Sequence, residues 1–157
     1  MVEFTISVTI NQPRETVVKA FLNPDNLIFW TKDLEKIEII EKGPGEVGAV
    51  AHLHYLQNGK QYMMKDELIY CEPGFKYVSK VSADDLTAKV ETSFIKQGPN
   101  TEIDLKWSGK GNNPYMNLSL YILKIKIAKQ AKRELNTFKN LVEQRGSKFD
   151  IFHHQIS

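Results

Sequence analysis

The run from Pro114 to Arg145 is the longest element this chain can form, and it restricts what the rest can fold into. Apolar or small residues recur at Leu118, Tyr121, Ile125, Ala128, Ala131, Leu135, Phe138 and Val142, in steps of three and four that draw one stripe along a helix. Pro114 suits a first helical turn, Asn112 or Asn113 can cap the exposed amides, and Gly146 supplies a stop. Such a helix would be on the order of 45 Å long, enough to cross a small domain. Its first third also admits a strand reading, because Leu118, Leu120 and Ile122, then Ile125 and Ile127, alternate. A long, one-sided helix needs a surface to cover, and the remainder of the chain must provide it.

That remainder reads mostly as strands. Phe4, Ile6, Val8 and Ile10 alternate with Glu3, Thr5, Ser7 and Thr9, the pattern of a half-buried strand. Asn11-Gln12-Pro13 breaks it, and Pro13 can open a short helix with Val17, Val18, Ala20 and Phe21 on its apolar side. Asn23-Pro24-Asp25 starts a second short helix carrying Leu27 to Trp30, with Asn23 as its cap. From Leu34 onward six strands follow. Asn58-Gly59, which accepts positive φ at both positions, joins Val47–Gln57 to Lys60–Cys71 as a tight hairpin. Further turns at Glu72-Pro73-Gly74, Asp84-Asp85 and Gln97-Gly98-Pro99-Asn100 separate Phe75–Ala83, Leu86–Lys96 and Thr101–Lys110. Connections this short predict an antiparallel meander. The order is strand, two short helices, six strands, long helix. A curved sheet around a helix that includes small residues, such as Ala128 and Ala131, leaves a cavity between them.

Composition narrows the function classes. The 157 residues fit one domain with a substantial core, expected over 1–145, with a tail over 146–157 whose Phe149, Ile151 and Phe152 dock on the body or on a second subunit. A net charge of +2 gives no global drive toward nucleic acid or an anionic surface. The charge is unevenly placed, since Pro114–Arg145 holds seven Lys and Arg against two Glu. Most such basic helix backs are solvated faces, although RNA, an acidic partner or lipid head groups would also fit. Cys71 is alone, so no intramolecular disulfide forms. The N-terminus lacks the pattern of a signal peptide, and no run approaches the ~20 apolar residues of a membrane span. The expected location is cytoplasmic.

In this order of elements the chain resembles the START-like superfamily, also called SRPBCC, with its helix-grip fold. Within it, the chain is most similar to the single-domain polyketide cyclase/dehydrase and lipid-transport type. The resemblance covers about residues 1 to 145. It is carried by Ile10-Asn11-Gln12-Pro13-Arg14-Glu15-Thr16-Val17, by Asn23-Pro24-Asp25-Asn26 leading to Trp30, by the late Gly-Pro turn, and by Glu134 to Glu143 in the closing helix. It implies an α+β fold, a strongly curved antiparallel sheet of about seven strands wrapped around a long C-terminal helix with an internal cavity. It implies a lipid, sterol, hormone or polyketide in that cavity, with cyclisation or dehydration in a few members. The superfamily has no shared catalytic motif to carry across, and a fold alone does not assign chemistry.

The candidate site residues follow from strand parity. His52 and His54 share one strand face, and Tyr62, Met64, Asp66, Leu68 and Tyr70 share another. If both sets point inward, His52, His54 and Asp66 converge in the cavity as acid and base or as zinc ligands. The opposite reading puts the histidines in solvent, because Ala49, Ala51, Leu53 and Tyr55 form an equally apolar alternate face. Tyr62, Tyr70, Tyr77, Phe94, Trp107 and Tyr121 could line a pocket or simply pack the core, with Met64, Ile125 and Ala128 beside them. Trp30 is expected to pack the short helices against the sheet. Gly43-Pro44-Gly45-Glu46-Val47-Gly48 fits a dinucleotide fingerprint literally, but strands on both sides make it a hairpin loop. His153-His154 is a poor chelating geometry, and neither Cys71 nor any serine has an activating context.

These observations lead to binding of a small hydrophobic ligand, with no cofactor, no metal and no nucleic acid, by a monomer or homodimer. A cyclase or dehydratase acting in the same cavity is the enzymatic alternative. A protein-partner module, resembling relatives that activate a chaperone ATPase or associate with ribosomes, is the third.

Overall fold

The computed structural model describes residues 1–149, and within them the expected order of elements is present. Strand β1 (Val2–Ile10) leads to helix α1 (Arg14–Leu22), a single 3-10 turn (Pro24–Asn26) and the one-turn helix α2 (Leu27–Trp30). Then come β2 (Leu34–Glu41), β3 (Val50–Gln57), β4 (Lys60–Glu72), β5 (Lys76–Ser82), β6 (Leu86–Gln97), β7 (Asn100–Gly111) and α3 (Pro114–Arg145). Local chemistry sets the joints. Asn58 and Gly59 have φ of 52° and 78°, the two left-handed positions of a hairpin turn matched to strand twist. The Asn113 side chain accepts from the Met116 amide at 2.8 Å and starts α3. Gly146, at φ 70°, ends it.

All seven strands form one antiparallel sheet in the order β1-β7-β6-β5-β4-β3-β2. The first strand therefore closes on the last, with Val2 opposite Gly109 and Ile10 opposite Thr101. The result is the helix-grip arrangement of a curved sheet and a long C-terminal helix. Helix α3 rests on β1 and β7, with smaller contacts to α1 and α2. Its Lys132 donates to the Ser7 carbonyl, Lys139 donates to the Thr9 carbonyl at 2.7 Å, and Glu143 accepts from the Asn11 amide at 2.7 Å. These side chains occupy polar backbone groups that β1, an edge strand, would otherwise leave open.

One end of the molecule is solid. Val8, Ile10, Val17, Ala20, Phe94, Ile103, Leu135, Phe138, Val142 and Phe149 form a continuous buried cluster there. Asn26 closes it. Its buried amide nitrogen donates to the carbonyls of Ala20 (3.0 Å) and Ser147 (2.9 Å), and its oxygen accepts from the Phe149 amide at 2.9 Å. Phe149 thus docks on the body, stacked edgewise on Phe138. Ile151, Phe152 and His153-His154 lie outside the described residues.

The stripe expected along α3 holds only in its second half. Leu135, Phe138 and Val142 are buried, whereas Leu118, Tyr121 and Ile125 are 64%, 62% and 68% exposed, and Leu120 is the residue turned inward. The physical reason lies in the anchor of the helix. Asn117 accepts from the Gly111 amide at 2.8 Å, and a Cβ at Gly111 would sit 2.5 Å from the Asn117 nitrogen. That close approach fixes the rotation of the first turns. Because this half is apolar on every side, hydrophobicity alone does not choose its face. No helix among the described residues is long and apolar enough to cross a membrane.

Candidate functional site

The other end of the molecule is hollow. A cavity of about 1170 Å³ opens between the sheet, α2 and the middle of α3, above the range of about 300–1,000 Å³ usual for small-ligand pockets. Strand register determines which side chains reach it. On β3 and β4, Ala51 lies opposite Asp66, Leu53 opposite Met64, and Tyr55 opposite Tyr62. Directly opposed residues share a face, and all six line the cavity. The next strands add Tyr77, Ser79 and Val81, then Val90 and Thr92, then Leu105 and Trp107. Helix α3 contributes Ile122, Leu123, Ile125, Lys126, Ile127, Lys129, Gln130, Ala131, Arg133 and Glu134.

Two aromatic pairs stand on separate walls. Tyr55 and Tyr62 stack in parallel with ring centres 4.8 Å apart, and Phe4 stacks on Trp107 at 5.2 Å. An ideal Cβ at Gly109 would lie 2.2 Å from the Trp107 ring, so glycine is what lets the indole lie flat against β7. Trp30, expected to pack the short helices against the sheet, instead packs on Phe138 of α3 at 5.0 Å and on Phe21 of α1 at 6.1 Å, and it also lines the cavity. Its indole Nε1 is buried with no hydrogen-bond partner among the described residues.

Polar groups interrupt this largely apolar wall, Asp66, Ser79 and Thr92 on the strands and Lys126, Lys129, Gln130, Arg133 and Glu134 on α3. Burial pushes the Asp66 carboxyl above the usual carboxylate range, and a hydrogen bond with Ser79 opposes that only in part. Burial also raises Glu134, whose Oε2 accepts from the Lys32 amide at 3.1 Å and from Gln130 at 3.2 Å. The Tyr55 phenol is desolvated and faces the charges of Glu134 and Asp66, so its ionisation is pushed far up and it stays neutral. The chamber therefore offers hydrogen bonds without a fixed positive charge at its Asp66 side.

Of the residues expected at the site, Tyr62, Met64, Asp66, Tyr77, Trp107 and Ile125 do line the cavity. His52 and His54 do not join Asp66. They stand on the outer face of β3, opposite Lys65 and Met63, because Ala51, Leu53 and Tyr55 take the inward parity. His54 bonds Glu38 at 3.1 Å, and that bond holds the Glu38 carboxyl below its usual range. Tyr70 is also outside. A bulge at Ile69 breaks the alternation, so Tyr70 turns outward to donate to Glu72 while Cys71 falls opposite Tyr77. Phe94 is core at the solid end, against Tyr77 and Phe21. Tyr121 lies on the exposed side of α3, and Ala128 is half-buried beside the cavity without lining it. No cluster of three metal-ligating side chains exists among the described residues.

No family profile matches the chain, and no curated protein matches it in sequence. Solved structures do match in shape. A START superfamily protein from Mycobacterium smegmatis superposes with a TM-score of 0.72 at 13% identity, over 90% of this chain and 97% of that one. The ZhuI aromatase/cyclase from Streptomyces sp. R1128 gives 0.73 at 16% identity, over 92% and 94%. Ara h 8.0201 gives 0.74 at 15% identity, over 92% and 99%. At these identities the likeness is one of fold. The chain has the START-like helix-grip fold, complete from the first strand to the long final helix.

Proposed function

We propose that this protein binds a small, mostly apolar ligand between its sheet and α3. The observation that carries this reading is the cavity itself, large, walled mainly by aliphatic and aromatic side chains with charged residues along α3, and reached by two stacked aromatic pairs. Apolar burial supplies the affinity of such a site, and a few polar groups orient what enters. Asp66, Ser79 and the neutral Tyr55 phenol favour a ligand whose apolar body carries a hydroxyl or an amine. The START superfamily and aromatase/cyclase structures of the same shape support a ligand of this general kind.

The test is titration of the purified protein with an environment-sensitive naphthalene dye, alongside native mass spectrometry of any molecule that co-purifies. Saturable dye binding, displaced by long-chain or polycyclic hydroxyl compounds, is expected. Ala51→Trp, which fills the chamber from β3, should weaken it at least tenfold, whereas His52→Ala on the outer face should leave it unchanged. A protein that binds no dye and releases no small molecule would end this reading. A cyclase or dehydratase activity is the second reading, favoured by one feature, the Asp66 carboxyl held toward its protonated form inside the cavity. It requires turnover that Asp66→Asn abolishes while dye binding persists.

A further inference from the structure

The N-terminal half of α3 is apolar where it is most exposed. Tyr115, Leu118, Tyr121, Ile122 and Ile125 are between 62% and 80% exposed, at spacings of three and four that place them along one side. Continuing that side by the same spacing from Ile122 and Ile125 leads to Lys126, Lys129 and Arg133. From Pro114 to Arg133 there is no Asp or Glu at all. Lys132 is held by the Ser7 carbonyl, but the side chains of Lys124, Lys126, Lys129 and Arg133 make no hydrogen bond or ion pair among the described residues. Ile122, Ile125, Lys126, Lys129 and Arg133 also line the cavity, so this surface is continuous with its mouth.

We infer that the first half of α3 docks in the plane of an anionic lipid bilayer and presents the cavity mouth to it. Exposed aliphatic and tyrosine side chains that lead into a run of lysine and arginine, with no acid, are the composition of an interfacial helix. The apolar side chains enter the head-group boundary and the cations meet the lipid charge. A second copy of the chain fits less well, because Pro114–Arg133 contains no acid, so the same stretch of a partner offers Lys124, Lys126 and Lys129 no opposite charge. Nucleic acid would leave the five apolar side chains without a role. That the docked face serves ligand exchange rests on the binding function proposed above; the docking itself does not.

The experiment is flotation of the purified protein with vesicles of phosphatidylcholine alone and of phosphatidylcholine with phosphatidylserine. Binding to the anionic vesicles, weakened by high salt, is expected. Lys126→Gln with Lys129→Gln should lower that affinity about 30-fold, at about fivefold per cation. Leu118→Ser with Tyr121→Ser, which lie outside the cavity, should abolish flotation while leaving dye binding intact. Ala51→Trp should lose dye and still float, which separates failure of docking from failure of the ligand reading. Absence of flotation on either vesicle would overturn the inference, as would equal, salt-insensitive binding to both. A dimer that Leu118→Ser with Tyr121→Ser dissolves, in a protein that ignores vesicles, would assign the face to a second copy instead.

Discussion

Asp66 is the side chain whose environment most sharply opposes its chemistry. It sits in an apolar wall, desolvated, with Ser79 as the partner that steadies its charge. Between the ordinary aspartate value and its raised native value, the folded chain holds a proton that the unfolded chain has released. Unfolding free energy therefore falls as pH rises through that window, and the cost is fully present above it. Asp66→Asn keeps a polar side chain beside Ser79 and removes the charge. Its gain should be on the order of 1 kcal/mol in neutral buffer, about 2–4 °C in Tm for a chain of this size, and should vanish in acid. Melting curves of the two proteins across pH would measure that difference. At Gly109 the constraint is steric. Gly109→Ala should drive the Trp107 indole into the chamber, cost about 1–3 kcal/mol and weaken dye binding. A shift in tryptophan emission would accompany it, and an unchanged spectrum with full binding would contradict the assigned ring position.

At the scale of elements, the latch at Asn26 is the joint that holds the segment after α3 to the short helices. Its three hydrogen bonds are buried, so Asn26→Ala leaves backbone partners unsatisfied and should cost about 2–4 kcal/mol in urea unfolding. Phe149→Ala removes the ring that the latch positions, and about 3–5 kcal/mol is expected. Because both act through one contact, the double variant should be milder than the two losses added, and simple additivity would refute the coupling. The element order, the Asn58-Gly59 hairpin and the caps of α3 were legible from residues, since turns and caps are decided locally. The face of α3 before Lys126 was not, because its rotation is set by the contact between Gly111 and Asn117, remote from any periodicity. Tyr70 escaped for a similar reason. One extra residue, Ile69, reverses the parity of everything after it in β4, and nothing in the alternation announces it.

For the molecule as a whole, the separation of a solid end from a hollow one should appear in its dynamics. Strands β6 and β7 are paired on both sides and contribute to the buried cluster, whereas β2 is an edge strand bordering the cavity. Backbone amides of β2 should exchange with deuterium before those of β7, and uniform protection across the sheet would contradict this division. The same division explains how much of the site could be read in advance. The apolar parity of Ala51, Leu53 and Tyr55 was visible, but which of two equally apolar faces turns inward depends on the whole sheet's curvature. One further consequence concerns synthesis. Strand β1 is made before every other described element, yet its partner β7 begins at Asn100, and the ring that seals the core is Phe149. A nascent chain therefore carries an unmatched, half-apolar strand until β7 has emerged, and an unsealed core until Phe149 has followed. How well that interval is shielded from aggregation bears on yield as directly as the stability of the finished fold.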